Sequence, residues 1–166
     1  MHRVIKRRKY IHQAFLVVAL LMLVIGESYS MSLFDIGKVC LFSKTDGKIV
    51  LNGEPVAGVK IIRKSIFQTK TKEEVTTTDN NGVFHFDASF TRSLAKYMPL
   101  EGVITQKIII QTSEKEHEGW TSVKRNFEEN GELGGKPLDL VCELSQEEST
   151  FTRVGRHQIY GICDWK

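Results

Sequence analysis

The stretch from Gly47 to Phe86 constrains the fold of this chain more than any other. Two turn clusters punctuate it, Asn52-Gly53-Glu54-Pro55 and Asp79-Asn80-Asn81-Gly82. Between and beside them lie short apolar, β-branched runs, as strands require. The pattern continues on both sides of this stretch. Gly37 to Phe42, Lys48 to Leu51, Val59 to Arg63, Glu73 to Thr78 and Val83 to Asp87 read as strands, the last with Phe84 and Phe86 inward and His85 and Asp87 outward. Asp79 to Gly82 suits a hairpin loop whose glycine is left-handed.

Further along, Ser89 to Met98 suits a turn or two of helix stopped by Pro99. Val103 to Thr112 is the longest expected strand, with Ile108, Ile109 and Ile110 apolar on both faces. Gly119 to Val123, Leu138 to Leu144 and Ile159 to Trp165 complete the set. Lys124 to Pro137 reads as a polar surface loop and the region of Gln146, Glu147 and Glu148 as an acidic link. No sustained 3.6-residue period appears after Met31, so the expectation is an all-β domain over residues 31–166.

Residues 1–30 are of a different kind. Arg3, Lys6, Arg7, Arg8 and Lys9 precede an apolar run from Ala14 to Gly26, and Ser28-Tyr29-Ser30 supplies small residues before Met31. That order is a cleaved secretory signal, a leader helix that places the mature protein in the periplasm or outside the cell. The apolar run is shorter than the roughly 20 residues that span a bilayer, so membrane association would come only through an uncleaved leader. A start at Met31, with a cytoplasmic protein, is the alternative. The formal charge of +3 owes much to this segment, because without it 18 basic residues face 19 acidic ones. A body so nearly neutral lacks the footprint for nucleic acid.

Three cysteines follow Met31. Cys142 shares a strand face with Leu140 and Leu144, and Cys163 sits on what reads as a neighbouring strand, so a Cys142–Cys163 disulfide is one reading. Three buried free thiols, Cys40 included, are the other. No Cys-x-x-Cys motif or Cys/His cluster suggests zinc.

The pattern from Gly47 through Leu51, Gly53, Pro55, Gly58 and Val59 to Thr78, Asp79, Gly82, Phe84 and Phe86 resembles the carboxypeptidase regulatory-like domains of the transthyretin-like group. That resemblance implies a Greek-key β-sandwich of about seven to nine strands with no catalytic role. A wider likeness runs from Met31 to Ser43, through Gly134 to Leu138 and Cys142 to Leu144, to Cys163, Asp164 and Trp165. These residues resemble an uncharacterised family of short bacterial proteins, stand-alone versions of that sandwich.

Chemistry-bearing motifs fail on inspection. His85, His117 and His157 have no partner at ligand spacing and read as solvated. His85 and Asp87 share a face and offer an acid–base pair without a positioned third group. Asp79 to Gly82 lacks the ligand spacing of a calcium loop, and Gly131 to Pro137 lacks the spacing and the Ser/Thr of a phosphate loop. The expectation is a non-enzyme with no cofactor and no metal. Trp120, Lys124, Arg125 and Phe127, gathered at the start of the longest loop, form an aromatic and basic mixture suited to a protein partner. An antidote (immunity) protein against a secreted toxin is the alternative role and a carbohydrate-binding accessory domain the third.

Overall fold

The computed structural model describes residues 36–99, 102–147, 149–154 and 157–165. The expected leader, residues 1–30, lies outside them. The described chain is all-β apart from one short 3-10 turn. Its strands are β1 (Lys38–Phe42), β2 (Thr45–Leu51), β3 (Glu54–Pro55), β4 (Lys60–Phe67), β5 (Lys70–Thr77), β6 (Val83–Phe86), β7 (Ser89–Arg92), β8 (Ile104–Gln111), β9 (Glu116–Lys124), β10 (Leu138–Glu143), β11 (Ser149–Val154), β12 (His157–Gly161) and β13 (Cys163–Trp165). The 3-10 turn spans Leu94–Tyr97 between β7 and β8.

Six strands form one sheet in the order β11-β12-β9-β8-β4-β5. The other large sheet runs β13-β10-β2, with β6 and β3 sharing the far edge of β2, and β1 pairs with β7 in a separate ribbon. Ile49, Phe84, Phe86, Leu138 and Leu140 of one large sheet meet Ile61, Ile108, Ile110, Trp120 and Ile159 of the other in one buried cluster, an arrangement compatible with a β-sandwich. Val39, Leu41, Phe67 and Ile104 make a second, smaller cluster under the ribbon.

The two turn clusters act differently. Asn52 and Gly53, at φ 52° and 84°, join β2 to β3 as a tight hairpin. Asp79 to Gly82 is a turn, with Gly82 at φ 72°, but β5 and β6 belong to different sheets, so it carries the chain across the core instead of closing a hairpin. Asp79 Oδ1 accepts from the amides of Asn81 and Val83, both at 2.8 Å, which sets the turn's exit direction. A Cβ on Gly82 would stand 2.5 Å from the Ile49 carbonyl, so the glycine is needed for space as well as for its dihedral.

Three further expectations change. The helical candidate from Ser89 to Met98 divides into β7 and the 3-10 turn, because the β1 edge recruits Ser89 to Arg92 into backbone pairing. The connection after Leu144, expected to be a link without a strand, carries β11, which pairs with β12. The run Ile159 to Trp165 is two strands: at Gly161, φ 139°, and Ile162 the chain steps from β12 in one sheet to β13 in the other. The step puts Cys163 directly opposite Cys142 across β10 and β13, and the two form a disulfide. A crosslink of sequence separation 21 restricts the unfolded chain enough to contribute about 3 kcal/mol.

Candidate functional site

The four residues expected to form a partner-binding surface do not form one. Trp120, on the inward face of β9, is wholly buried in the main core, where its ring packs edge-on against Trp165 at 5.9 Å. Lys124 is wholly buried as well, because alternation along β9 sends it to the same face as Trp120. Phe127 is half-buried on the smaller cluster, edge-on to Phe67 at 5.7 Å, and its carbonyl accepts from the Cys40 amide at 2.9 Å. Arg125 is the only one of the four exposed to solvent.

Lys124 instead belongs to a polar network inside the domain. Its Nζ lies 3.3 Å from Glu132 Oε1, with neither side chain exposed. The same carboxylate accepts from the Ser43 amide at 3.1 Å, Ser43 Oγ at 2.6 Å and Gln106 Nε2 at 2.7 Å. Gln106 Nε2 also donates to the Leu41 carbonyl at 2.8 Å, and the Asn130 amide donates to Ser43 Oγ at 2.7 Å. Burial pushes the Glu132 carboxyl up, but the Lys124 charge and the hydrogen bonds from Ser43 and Gln106 more than offset it and leave it below its ordinary range. Burial pushes the nearby Cys40 thiol up, against the charge of Lys124, which makes it a poor nucleophile. The long loop is therefore anchored at its middle by a buried carboxylate.

Arg63, on the inward face of β4 and 1% exposed, is the third buried charge. Its Nε and Nη2 both donate to Glu74 Oε2, at 3.1 and 2.7 Å, and Nη2 also reaches the Asp87 carbonyl at 2.7 Å. The guanidinium lies over the Phe86 ring at 4.5 Å and the Phe42 ring at 5.1 Å.

The histidines differ from one another. His85 is exposed as expected, and its Nδ1 and Nε2 lie 2.6 Å from Asp46 and 3.2 Å from Asp87. Those two carboxylates raise its pKa above the ordinary histidine value. Alternation in sequence paired His85 with Asp87 but gave no sign of Asp46, which the antiparallel register of β2 and β6 brings opposite. His117 is not solvated. It is buried beside a small open pocket of about 220 Å³ with Leu51, Val56, Leu144 and the turn Thr112 to Lys115. The backbone of His157 lies in β12.

Among the described residues, the two most exposed large apolar side chains, Leu94 and Tyr97, lie on the 3-10 turn, with Met98 at its end. Leu94, Tyr97 and Met98 are 77%, 60% and 54% exposed. The turn itself is held firmly: Ser93 Oγ caps it by accepting from the Ala95 amide, the Ser93 amide donates to the Gly37 carbonyl at 2.8 Å, and Tyr97 Oη accepts from the Gly37 amide at 2.9 Å. Ala95 packs on the smaller cluster beneath. Among the described residues, no group of three or more His, Cys, Asp or Glu side chains is placed to hold a metal ion.

A family model described as a domain of unknown function (DUF6795) matches residues 45–147. The chain belongs to the DUF6795 family. The DUF6795 match runs from the start of β2 to just beyond β10, so it takes in the 3-10 turn, Gln106, Lys124 and Glu132, and leaves Ser43 and Cys163 outside it. No curated protein and no solved structure matches this DUF6795 chain.

Proposed function

We propose that this DUF6795 protein is an exported, non-enzymatic module that binds another protein, built on a β-sandwich of the transthyretin-like, carboxypeptidase regulatory-like kind. The observation that carries the reading is the turn at Leu94, Tyr97 and Met98, three large apolar side chains turned to solvent on a mount fixed from below. Such side chains cost solubility unless something covers them, and a rigid mount loses little entropy when it is covered. The binding surface is thus assigned to this turn and not to the loop that follows β9. The basic, apolar and small-residue order of residues 1–30 supports export, and the Cys142–Cys163 disulfide suits an oxidising compartment.

Photo-crosslinking in the native host tests the assignment. A photoreactive residue at Leu94 or Met98 is expected to give a discrete protein adduct, whereas one at Val75, also 54% exposed but on the edge strand β5, is expected to give none. Leu94→Ser should leave the melting temperature unchanged and abolish the adduct formed through Met98. Equal labelling from all three positions, or an adduct insensitive to Leu94→Ser, refutes the assignment.

A further inference from the structure

An asparagine followed by glycine is the step of a polypeptide most open to ring closure, because glycine has no side chain to shield its own nitrogen and turns freely about its bonds. The chain holds three such steps, Asn52-Gly53, Asn81-Gly82 and Asn130-Gly131. The fold treats them differently. Gly82 is buried, its amide donates to the Asp79 carbonyl at 3.0 Å, and its carbonyl accepts from the Ile49 amide at 2.8 Å. The Asn130 amide donates to Ser43 Oγ at 2.7 Å and its carbonyl accepts from the Gly135 amide at 2.8 Å. The Asn126 side chain crowds Gly131 and donates to its carbonyl at 3.1 Å. Both of these steps are fastened on either side of the bond that would have to turn. Asn52 and Gly53 are exposed, and among the described residues nothing lies within 4 Å of where a Gly53 Cβ would stand. Their two amides donate to the partly exposed carboxylate of Glu143, at 2.8 and 2.9 Å.

We propose that Asn52 is a modification site, the step of this fold that closes to a succinimide with loss of ammonia, and that Glu143 is its guard. The Gly53 nitrogen gives its proton to a base from solvent and attacks Asn52 Cγ, and the new C–N bond closes a five-membered ring. The bond from Cγ to Nδ2 breaks, and Nδ2 leaves with a proton as ammonia. Water then adds to one of the two ring carbonyls and opens the ring. Attack at Cγ leaves aspartate, and attack at the main-chain carbon leaves isoaspartate. One water is consumed, one ammonia is released, and nothing is oxidised or reduced. Glu143 opposes the first step. Its oxygen keeps the Gly53 N–H engaged, and a carboxyl held down to about 2 is far too weak a base to remove that proton itself. Either product puts a new negative charge into the turn that Glu143 binds, and like charges repel there. Isoaspartate also lengthens the main chain by one carbon inside the tight hairpin between β2 and β3.

Ageing the folded full chain at mildly alkaline pH, with its disulfide intact, and mapping its tryptic peptides over time decides the matter. The three steps fall in different tryptic peptides, and each conversion adds the mass by which a hydroxyl exceeds an amino group. Asn52 is expected to convert first, with Asn81 and Asn130 slower by about tenfold, the factor that breaking a hydrogen bond imposes. In urea the three should convert at similar rates, because each precedes a glycine and none is held. Glu143→Ala should speed the conversion of Asn52 by about tenfold and leave the other two unchanged, with a melting curve to show that the variant is folded at the ageing temperature. Conversion of Asn81 or Asn130 as fast as that of Asn52 in the folded parent overturns the site, and this comparison stands whether or not Glu143→Ala folds. An Asn52 rate unchanged in folded Glu143→Ala overturns the guard.

Discussion

Lys124 shows how far alternation can be trusted when it conflicts with composition. The inward positions of β9 are Trp120, Ser122 and Lys124, those of β8 are Ile104, Gln106, Ile108 and Ile110, and those of β4 are Ile61, Arg63, Ser65 and Phe67. Carrying the alternation of Gly119 to Val123 one residue further puts Lys124 on the face of Trp120, but the sequence reading ended that strand at Val123 and gave Lys124 to the surface loop. Glu132 was not legible in the same way, because it enters from a loop without periodicity and is placed by Ser43 and Asn130. Removing the lysine cation leaves a buried carboxylate without its counter-charge. Lys124→Ala is thus expected to destabilise the fold by about 3–5 kcal/mol, the typical cost of breaking a buried pair from one side. Arg125→Ala, on an exposed side chain of the same loop, should move stability by no more than about 0.5 kcal/mol. Denaturant midpoints of the two variants check this, and a Lys124→Ala midpoint as close to the parent as that of Arg125→Ala contradicts the buried pair.

Among the elements, local signals in sequence gave strands and turns but not which strands pair. Asp79-Asn80-Asn81-Gly82 has the chemistry of a turn and forms one, yet nothing local distinguishes a turn that closes a hairpin from one that crosses to the opposite sheet. The break at Gly161 was likewise invisible to alternation, since apolar residues continue through it. The turn at Asn52 and Gly53 was legible, though not the two-residue strand β3 that it leads into, and the structure adds a contact that only pairing could supply. Parallel alignment of β10 with β2 brings Glu143 to the turn, where its carboxylate accepts from the Asn52 and Gly53 amides at 2.8 and 2.9 Å. With the hydrogen bonds from Ser145 as the largest cause, these hold the Glu143 carboxyl down from 4.5 to about 2. A depressed carboxyl stabilises the fold fully above its unfolded pKa and loses that contribution as pH falls through the folded value. The gap in melting temperature between the parent and Glu143→Gln is therefore expected to be constant at neutral pH, to narrow below the ordinary carboxylate range, and to close near pH 2. A gap that stays the same down to the lowest pH at which both proteins fold contradicts the turn contact.

At the scale of the whole molecule, the order of strands in space departs most from the order in sequence where β2 meets β10. Residues 45–50 pair in parallel with residues 138–143, whereas β4 with β5 and β8 with β9 are antiparallel neighbours joined by short turns. An apolar face can be recognised without knowing its neighbour, so the core residues Phe84, Phe86, Ile108, Ile110 and Leu140 were readable from sequence while this parallel pairing was not. The same difference in separation bears on folding. Closing a long loop costs chain entropy before any contact repays it, so local hairpins form more cheaply than pairings of distant segments. The six-stranded sheet, seeded by β4, β5, β8 and β9, should be organised in the folding transition state, and the β2–β10 pairing should complete afterwards. Ile108 and Leu140 are both fully buried and make a fair comparison. Ile108→Val is expected mainly to slow folding and Leu140→Ala mainly to speed unfolding, so that the φ-value at Ile108 exceeds that at Leu140. Chevron analysis of both variants, with the disulfide intact, measures the two values directly. Should Leu140 carry the higher φ, the parallel pairing belongs to the nucleus, and folding begins from the most distant contact in the sheet instead of from the nearest.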